Sequence, residues 1–344
     1  MQDVAQKAGV SISTVSYVLS GSRPISEETK RRILLAMDEL GYKPNAAARA
    51  LASKRSKILA LSFPPSDRGL GASELEFVTS AVQAAGAKGY SLVLWTEATG
   101  DPALVERFTV QGLFDGMVLM EVHERDVRVP ALVELGIPFT LIGRCGNAEG
   151  ISYVDIDFDQ TMSDAVSYLA SLGHESLAFL NQSKAEYDAG YGPSIRCHSS
   201  FAAAVSRQGI DGVERFCGAN PASGYEVFSA LMEERPSLTA LVAMNDRALP
   251  GVLRALADRS LAVPRDFSLM AVVSSARAAE MFMPPLTTLD LPSQALGKLA
   301  TERLIDRLEG GDSEVHQALL PCILVERGSA GPRRERGRSG HGQA

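Results

Sequence analysis

The sequence predicts an N-terminal all-α helix-turn-helix head followed by an α/β core of two Rossmann-like subdomains. Three observations support this fold class: short amphipathic helices at the start of the chain, a regular alternation of apolar strands and helices through the remainder, and opposite net charges in the two parts. About 270 residues follow the head and its linker, which is more than a single core usually holds. We therefore expect two subdomains after the head.

Two short helices joined by a tight turn begin the chain. Gly9 suits the turn because glycine adopts a positive φ without strain. Ser11 can cap the second helix by accepting a hydrogen bond from its first amides. Apolar residues repeat at helical spacing on both sides of the turn, namely Val4 and Ala8 before it and Val15, Val18 and Leu19 after it. This arrangement is a helix-turn-helix.

A third helix completes the head. Ser26 can act as its N-cap, Glu27 and Glu28 lie near its positive end, and Gly41 ends it. We expect this helix to pack on the other two through an apolar face formed by Ile33, Leu34, Met37 and Leu40.

The head and linker carry a positive charge that the rest of the chain lacks. Residues 1–60 contain ten Lys and Arg against five Asp and Glu, whereas the whole chain has a formal net charge of −7, which leaves −12 for the remainder. Charge is separated in this way when one end of a protein meets a polyanion, and a helix-turn-helix binds duplex DNA. The alternative is a small helical bundle that only caps a larger domain.

In a helix-turn-helix the second helix enters the major groove, so exposed residues near its start can reach base edges. We expect sequence readout from Ile12, Ser13, Ser16 and Tyr17. Short hydroxyl side chains beside helix N-termini suit phosphate contacts, which set the register on DNA without reading its sequence. We assign that role to Ser11, Thr14, Ser26 and Thr29.

An Ala-rich basic segment, residues 45–57, links the head to the core. Asn45 follows a proline and can start a helix of about two turns, which is marginal in water unless it finds a partner. Paired with the same segment of a second copy in a minor groove, this helix would offer Leu51 as an apolar wedge between base steps. The other DNA-contacting residues expected around it are Tyr42, Asn45, Ala48 and Arg49. The alternative is an ordinary interdomain linker.

These residues carry a family resemblance. The strings DVAQKAGVSISTVSYVLSG and ISEETKRRILLAMDELGYKPNAAARAL resemble the DNA-binding head and hinge helix of the LacI/GalR family of bacterial transcription regulators, and later landmarks resemble that family in order. The resemblance implies a regulator, expected to be a repressor, that binds a pseudo-palindromic operator as a homodimer under the control of a small-molecule effector. No leucine-heptad tail follows Glu326, which favours a dimer over a tetramer. Where the family often has Arg, this chain has Tyr17, so a different base preference is expected there.

The rest of the chain alternates strands and helices, which predicts two open parallel sheets with a ligand cleft at the carboxyl ends of their strands. We divide the chain into a head at 1–44, a hinge helix and linker at 45–57, a first subdomain at 58–150 with 291–316, a second subdomain at 151–290 with 317–328, and a disordered tail at 329–344. The three crossings between subdomains follow from the family resemblance. The tail is rich in Gly, Ser and Arg.

The effector site departs from the family pattern. An Arg four residues before an aromatic often grips the ligand in the family, but here the aromatic is Phe201 and that position holds Cys197, with Arg196 one residue earlier. An acidic pair that commonly follows a later strand is replaced by Val273-Ser274-Ser275. Two partners for sugar hydroxyls are therefore missing. The candidate effector-binding residues are Arg144, Arg196, Cys197 and Asp246, although Asn245-Asp246 could instead cap the following helix. A sugar or related metabolite, a less polar effector, or none at all remain open.

Other classes of protein are disfavoured by missing features. The stretch Gly69–Glu74 lacks a third glycine and a Walker lysine, and no nucleophile elbow or zinc pattern is present, so we expect no enzymatic activity, cofactor or metal. The four cysteines lack metal-ligand spacing and are expected to be reduced thiols. With no membrane-spanning run and no signal peptide before the head, we expect a cytoplasmic protein without a membrane partner. A solute receptor of periplasmic type, the remaining alternative, would explain a periplasmic-binding-protein-like core but not the head.

Overall fold

The structure is a computed structural model of the chain and describes residues 1–20, 23–42, 55–64, 69, 71–96, 112–311 and 314–334. In chain order, the helices in these ranges are α1 (Gln2–Ala8), α2 (Ile12–Ser20), α3 (Glu27–Glu39), α4 (Ala72–Ala87), α5 (Arg128–Glu134), α6 (Phe158–Ser171), α7 (Lys184–Asp188), α8 (Gly192–Gln208), α9 (Pro221–Glu234), α10 (Leu249–Asp258), α11 (Ala276–Glu280) and α12 (Ser293–Leu308). The strands are β1 (Ile58–Ser62), β2 (Ser91–Trp95), β3 (Gly116–Leu119), β4 (Phe139–Ile142), β5 (Tyr153–Ile156), β6 (Ser176–Asn181), β7 (Asp211–Phe216), β8 (Ala240–Ala243), β9 (Ser268–Ser274), β10 (Thr287–Asp290), β11 (Gln317–Leu320) and β12 (Ile323–Val325).

The head contains the three predicted helices. Gly9 follows α1 with a φ of +64°, and Ser11 accepts a hydrogen bond from the amide of Thr14 at 3.1 Å at the start of α2. Ser26 caps α3 in the same way, with the amide of Thr29 at 3.3 Å. The helices close on a small core of Val4, Ala5, Ala8, Val15, Ile33, Ala36 and Met37.

The buried face of α3 differs from the prediction at two positions. Ile33 and Met37 are buried, but Leu34 and Leu40 are 49% and 42% exposed, and Ala36 takes an inward position instead. Residues spaced by three and four share one helix face, so the neighbour of Ile33 at the next position is turned outward. Leu40 lies just beyond the last residue of the helix.

A six-stranded sheet forms the centre of the first lobe, with the strand order β11-β5-β4-β3-β1-β2. Every neighbouring pair in it is parallel, as the alternation of strands and helices predicts. The helices α4 and α12 pack against each other beside this sheet. Gly297 permits their close approach, because a Cβ atom there would lie 2.0 Å from Ser80 Oγ.

The second lobe has a sheet of order β12-β10-β9-β8-β6-β7. Its strands are parallel except for β12, which pairs antiparallel with β10 at one edge. The helix α6 packs on α8, and α9 packs on α10. The chain therefore folds as two similar α/β units, in agreement with the predicted fold class.

Two strands lie in a different sheet from the one predicted. The strands β5 and β11 pair with each other in the first lobe, with Gln317 opposite Tyr153, whereas the sequence assigned residues 151–156 and 317–320 to the second subdomain. The chain consequently crosses between the lobes near residues 157, 291 and 321. These strands pair across a long sequence separation, so the local pattern after Gly150 does not reveal which sheet they join.

The predicted disordered tail begins too early. Ser329 is fully buried. Its backbone carbonyl accepts a hydrogen bond from the amide of Leu269 at 2.8 Å, and its hydroxyl accepts one from the amide of Thr287 at 2.7 Å. The amide of Arg333 donates to the carbonyl of Leu172 at 2.8 Å. Residues 329–333 are thus part of the second lobe, because their backbone groups find partners there that composition alone does not predict. Residues 335–344 lie outside the described part.

Candidate functional site

The start of α2 presents the residues that were predicted to face DNA bases. Ser11, Ile12 and Ser13 are exposed, and Ile12 keeps half of its surface accessible. Val15, one turn further on, is buried in the head core. Ser16 and Tyr17 are half-buried beside it. The N-terminal end of this helix is therefore available to enter a groove, while its middle holds the head together.

The hydroxyl residues predicted to meet phosphates occupy two helix N-termini. The hydroxyls of Ser11 and Thr14 lie 2.8 Å apart at the start of α2, and the Ser26 hydroxyl donates to that of Thr29 at 2.9 Å at the start of α3. Free amides at such helix ends attract anions. The geometry suits phosphate contacts at both helices.

Tyr17 has a cationic neighbour that the sequence pattern does not reveal. The guanidinium of Arg23 lies 5.0 Å from the centre of the Tyr17 ring, within the range of a cation–π contact. Arg23 is exposed. The aromatic ring therefore holds a positive charge next to the helix that is predicted to enter the major groove.

Arg32 stabilises the turn of the helix-turn-helix. Its Nη2 atom donates to the carbonyl of Ala8 at 2.5 Å and to that of Gly9 at 3.3 Å, and its Nε atom reaches the Ala8 carbonyl at 3.2 Å. These carbonyls lie at the negative end of α1, where a cation is favoured. Sequence reasoning counted Arg32 only as part of the basic charge.

The predicted DNA contacts of the linker fall mostly outside the described residues. Tyr42 lies within them and packs, half-buried, against the head core. The residues outside are Asn45, Ala48, Arg49 and Leu51. Where the description resumes, Asp115 of the first lobe accepts hydrogen bonds from the amides of Ser56 and Lys57 at 2.7 and 2.9 Å. The core end of the linker is thus fixed to the first lobe.

A cleft lies between the two lobes, at the carboxyl ends of their strands, where the sequence placed it. It encloses a cavity of about 120 Å³, close to the size of cavities that admit a benzene-sized molecule. Polar residues of both lobes line it, among them Glu74, Glu121 and Asp155 of the first and Gln182, Asp246 and Arg247 of the second.

Asp155 is a buried carboxylate in this cleft. Only 3% of its surface is exposed, and its Oδ1 atom accepts a hydrogen bond from the amide of Ile156 at 2.8 Å. Its Oδ2 atom is buried without a hydrogen-bond partner in the described part of the chain. Burial raises the pKa of Asp155 to about 6, although the nearby guanidinium groups of Arg196 and Arg144 act in the opposite direction. A ligand that donates to Oδ2 would offset this cost of burial.

The predicted residues Arg144 and Arg196 lie beside Asp155 Oδ2 and are not among the residues that line the cavity. Arg144 Nη1 is 3.7 Å from Asp155 Oδ2, and Arg196 Nε is 4.0 Å from the same oxygen. Arg196 Nη2 donates to Glu124 Oε1 and to the carbonyl of Arg144, both at 2.7 Å. Arg196 thus connects α8 of the second lobe to two loops of the first.

Cys197 is not placed to bind a ligand, contrary to the prediction. Its side chain is fully buried in the same apolar cluster as Phe201 and Cys322. The next residue along a helix points about 100° away, so Arg196 faces the first lobe while Cys197 points into the core. Burial also raises the pKa of the Cys197 thiol well above its usual value. The four cysteines are all buried and unpaired.

Asp246 lines the cleft as predicted. Its Oδ2 atom accepts a hydrogen bond from the hydroxyl of Ser274 at 2.9 Å, and burial raises its pKa. The alternative role for Asn245-Asp246 was helix capping. Asn245 does occupy an N-cap position, but its side chain donates instead to the carbonyl of Cys217 at 2.8 Å. Asn245 therefore braces the loop, and Asp246 is left to face the cavity.

Two residues with strained backbones face the cleft. Val273 has a φ of +55° and Glu121 a φ of +53°, which is costly for a residue with a side chain, and most costly for branched Val273. The pairing between β9 and β10 shifts register at this point, so Val273 sits in a bulge. The bulge occupies the place where the family pattern has an acidic pair and puts an apolar side chain into the cavity.

The lobes touch on both sides of the cleft. On one side, the amide of Gly192 donates to the carbonyl of Val122 at 3.1 Å, and the amide of Glu124 donates to the carbonyl of Gly190 at 2.7 Å. Across the opening, Arg247 Nη2 lies 3.5 Å from the carboxylate of Glu74. This arrangement is a closed one that charged side chains of the protein itself help to hold.

Sequence reasoning missed Asp155, Gln182 and Arg247. A usable signal existed for the first two, because Asp155 and Gln182 are polar residues at the carboxyl ends of apolar strands that were expected to meet at a cleft. The direction of Arg247 depends on a loop and a 3₁₀ turn, which no periodicity predicts. Within the described ranges, no three His, Cys, Asp or Glu side chains form a group that could hold a metal ion. No helix there is long and apolar enough to cross a bilayer.

Two protein-family models match the chain. The model for bacterial regulatory proteins of the lacI family matches residues 1–45. The model for a periplasmic binding protein-like domain matches residues 166–330. The first model thus covers the head, and the second covers most of the second lobe together with α12 and β11 of the first.

Curated relatives match over almost the full length. The HTH-type transcriptional regulator AscG of Escherichia coli (strain K12) is 33% identical over 322 residues, which cover 91% of this chain and 93% of the relative. The HTH-type transcriptional regulator CelR of Thermobifida fusca is 28% identical, with 96% and 97% covered.

Solved structures share the fold. A complex of the transcriptional regulator CelR with cellobiose has a TM-score of 0.72 at 26% identity, covering 95% of this chain and 98% of the other. A lac repressor dimer bound to operator and the anti-inducer ONPF has a TM-score of 0.78 at 23% identity, covering 95% and 97%, which is a likeness of fold alone.

Proposed function

Because this chain belongs to the LacI family of bacterial regulatory proteins, we propose that it binds a pseudo-palindromic operator as a homodimer and that a small molecule in the cleft controls its affinity for this operator. Membership makes it a DNA-binding transcriptional regulator, and its relatives are regulators and not enzymes. We expect repression as the outcome. A protein that acts on the chromosome works in the cytoplasm, and we place it there.

One observation carries this proposal: a single chain combines an exposed helix-turn-helix with a two-lobed cleft that has unpaired polar atoms. The head offers the exposed residues Ser11, Ile12 and Ser13 to a groove, and residues 1–60 carry ten Lys and Arg against five Asp and Glu. The cleft holds Asp155 and Gln182, each with a buried oxygen that accepts no hydrogen bond from the described residues. A DNA-binding unit and a ligand-binding unit in one chain support ligand-controlled DNA binding.

We propose that the linker transmits ligand binding in the cleft to the DNA-binding head. Its segment around Asn45–Ser53 would fold as a helix only when two copies meet in a minor groove, with Leu51 wedged between base steps and Ala48 and Arg49 beside it. A movement of the lobes would change the spacing of the two segments. Because an isolated helix of this length is marginal, a few kcal/mol of differential ligand affinity would decide whether it folds.

The proposal is tested by selecting random duplex DNA on the purified protein, with and without a panel of small molecules. We expect enrichment of a palindrome whose occupancy changes with one compound. A protein truncated to residues 58–344 should then lose all DNA affinity. No enriched sequence would contradict the DNA role and favour the alternative, a solute receptor of periplasmic-binding type.

Leu51→Gly separates the linker from the head in the same assay. We expect affinity for the selected palindrome to fall roughly tenfold or more, while the weak, salt-sensitive binding to random DNA stays unchanged. Equal losses for both DNAs would contradict the wedge. Sedimentation or light scattering on the same sample measures the proposed dimer.

A further inference from the structure

The cleft contains two buried oxygens that accept no hydrogen bond from the described part of the chain, although two guanidinium groups lie 3.7 and 4.0 Å from one of them. They are Asp155 Oδ2 and Gln182 Oε1, and both residues line the cavity. Asp155 is 3% exposed and Gln182 is 5% exposed. Neither oxygen has a hydrogen-bond partner in the described part of the chain, although buried acceptors are nearly always paired. A ligand that supplies donors would satisfy both.

The two acceptors lie on opposite lobes. Asp155 belongs to β5 of the first lobe, and Gln182 directly follows β6 of the second. Each side chain is also held by another atom: Asp155 Oδ1 accepts from the amide of Ile156 at 2.8 Å, and Gln182 Nε2 donates to the carbonyl of Met244 at 3.5 Å. A ligand with two donors would therefore bridge the lobes and favour their closed arrangement.

Negative charge predominates in the cavity lining. Among the described charged residues that line it, four are carboxylates and the single guanidinium, Arg247, is next to one of them. The carboxylates are Glu74, Glu121, Asp155 and Asp246. Arg144 and Arg196 lie close to Asp155, but Arg196 is bonded to a fifth carboxylate, Glu124. Carboxylates still outnumber guanidinium groups when all of these are counted.

The remaining walls are apolar. They include Phe77, Met120, Ile142, Met244, Leu291 and Leu296. A space of about 120 Å³ with such walls suits a compact body that presents carbon to most of its surroundings. A ligand covered with hydroxyl groups would leave several of them facing apolar side chains without a partner.

We propose that the cleft binds a small organic cation, a compact and largely apolar molecule whose charged nitrogen donates to Asp155 Oδ2 and whose second donor reaches Gln182 Oε1. This inference rests on the proposed role of the cleft as an effector site. A cation compensates a buried carboxylate by charge as well as by hydrogen bonding. A phosphorylated or carboxylate ligand would instead add negative charge beside four carboxylates.

Matched ligand triads on the full-length protein test the proposal. Each triad keeps one skeleton and changes one group: cyclohexylamine, cyclohexanol and cyclohexanecarboxylate; benzylamine, benzyl alcohol and benzoate; glucosamine, glucose and glucuronate. Titration calorimetry should detect the amine of at least one triad, bound roughly tenfold or more tightly than its alcohol. The corresponding carboxylate should not bind. If an alcohol or carboxylate binds as tightly as its amine, or no compound of any triad binds, the proposal is wrong.

Two variants test whether Asp155 and Gln182 are the residues that bind the amine. Asp155→Asn should lower affinity for the amine roughly tenfold without lowering the unfolding temperature, because it removes a buried charge. Gln182→Glu should raise that affinity. The control is Asp211→Asn, because Asp211 is an exposed carboxylate of the second lobe that pairs with Arg235. This control should change neither the affinity for the amine nor the unfolding temperature. An unchanged amine preference in Asp155→Asn would contradict the proposal.

The same preparation distinguishes this inference from the proposed function. If the protein selects a palindrome but prefers alcohols or carboxylates, only the cationic ligand is wrong. If amines bind as expected but no DNA is selected, the cleft chemistry stands and the regulatory role fails.

Discussion

Asp115 and Ser56 join the linker to the first lobe: Asp115 Oδ1 lies 2.7 Å from the amide nitrogen of Ser56. The same oxygen accepts the Ser56 hydroxyl at 2.8 Å, and Oδ2 accepts the amide of Lys57 at 2.9 Å. A movement of the lobe can displace the linker only if this attachment is stiff. Three hydrogen bonds to one carboxylate provide that stiffness.

Asp115→Ala should therefore uncouple the linker from the lobe. Losing three hydrogen bonds to a charged acceptor should lower the free energy of unfolding by about 3 kcal/mol, measured in urea, and weaken palindrome binding more than random-DNA binding. The control is Glu309→Gln, which removes the exposed ion pair between Glu309 and Lys57 and should cost less than about 1 kcal/mol. Similar effects of the two variants on stability and palindrome binding would contradict a specific role of Asp115 in coupling the linker to the lobe.

The contact between Arg247 and Glu74 should limit the opening of the lobes. Arg247→Gln and Glu74→Gln should each increase the radius of gyration of the ligand-free protein in X-ray scattering, and the double variant should add little more. Glu74→Gln keeps an acceptor for the amide of Gly71, so the start of α4 stays capped. Both side chains are partly exposed, so the coupling energy should stay below about 1 kcal/mol. Arg235→Gln, whose partner is in the same lobe, should leave the radius unchanged.

Asp155 should make the stability of the core depend on pH. Its folded-state pKa, about 6, exceeds the ordinary value of 3.8, so the native state favours the protonated form. The contribution of protonated Asp155 to the free energy of unfolding is therefore fully present below pH 3.8 and is lost as the pH rises through 6. Asp155→Asn should therefore be more stable than the wild type above pH 6, by a margin of the order of 3 kcal/mol that shrinks as pH falls. Urea unfolding at pH 4.5, 6 and 7.5 measures the margin; a constant margin would contradict the assignment.

Two adjacent arginines of α3 should behave differently. Arg32→Ala removes the hydrogen bonds to the carbonyls at the end of α1 and should destabilise the head by about 2 kcal/mol, measured by thermal unfolding of the head signals in NMR spectra. Both arginines are exposed, but it is Arg32 that holds these carbonyls, so Arg31→Ala should leave the stability unchanged and weaken DNA binding only through charge. Equal melting of both variants would contradict the bracing role of Arg32.

Tyr17 and Arg23 should set a base preference that differs from the common one of the family. Tyr17→Phe keeps the ring beneath Arg23, whereas Tyr17→Ala removes it. Selection of random DNA should return nearly the wild-type half-site for the first variant and a less defined one for the second. If the wild type selects the ordinary family half-site, or if Tyr17→Ala selects the same site as the wild type, the idea is wrong.

The positions of the strands could be predicted from the sequence more accurately than the strands with which they pair. The strands at Ile58, Gly116 and Phe139 coincide with apolar runs, because a strand buried on both faces is apolar throughout. The sheet to which β5 and β11 belong was not predictable, since their pairing joins residues far apart in the sequence. The packing of Ser329 was missed for the same reason: its partners are Leu269 and Thr287.

The helix-turn-helix could likewise be predicted from the sequence, whereas the roles of individual residues in the cleft could not. The helix-turn-helix is local, so its caps at Ser11 and Ser26 were predicted residue by residue and are found in place. The cleft is assembled from strand ends, loops and helix starts of two lobes, and side-chain direction decides the role of each residue there. Arg196 and Cys197 are neighbours, yet one joins the lobes and the other lies in the core.

Each of the two sheets takes an edge strand, β11 or β12, from residues after 316. On the ribosome the head can fold as soon as it emerges, because its core uses only residues before 43. Both lobes must wait for the last part of the chain before their sheets are complete. During synthesis, the DNA-binding unit is therefore finished well before the unit that governs it, and a nascent chain that is cut short would carry a folded head without its control.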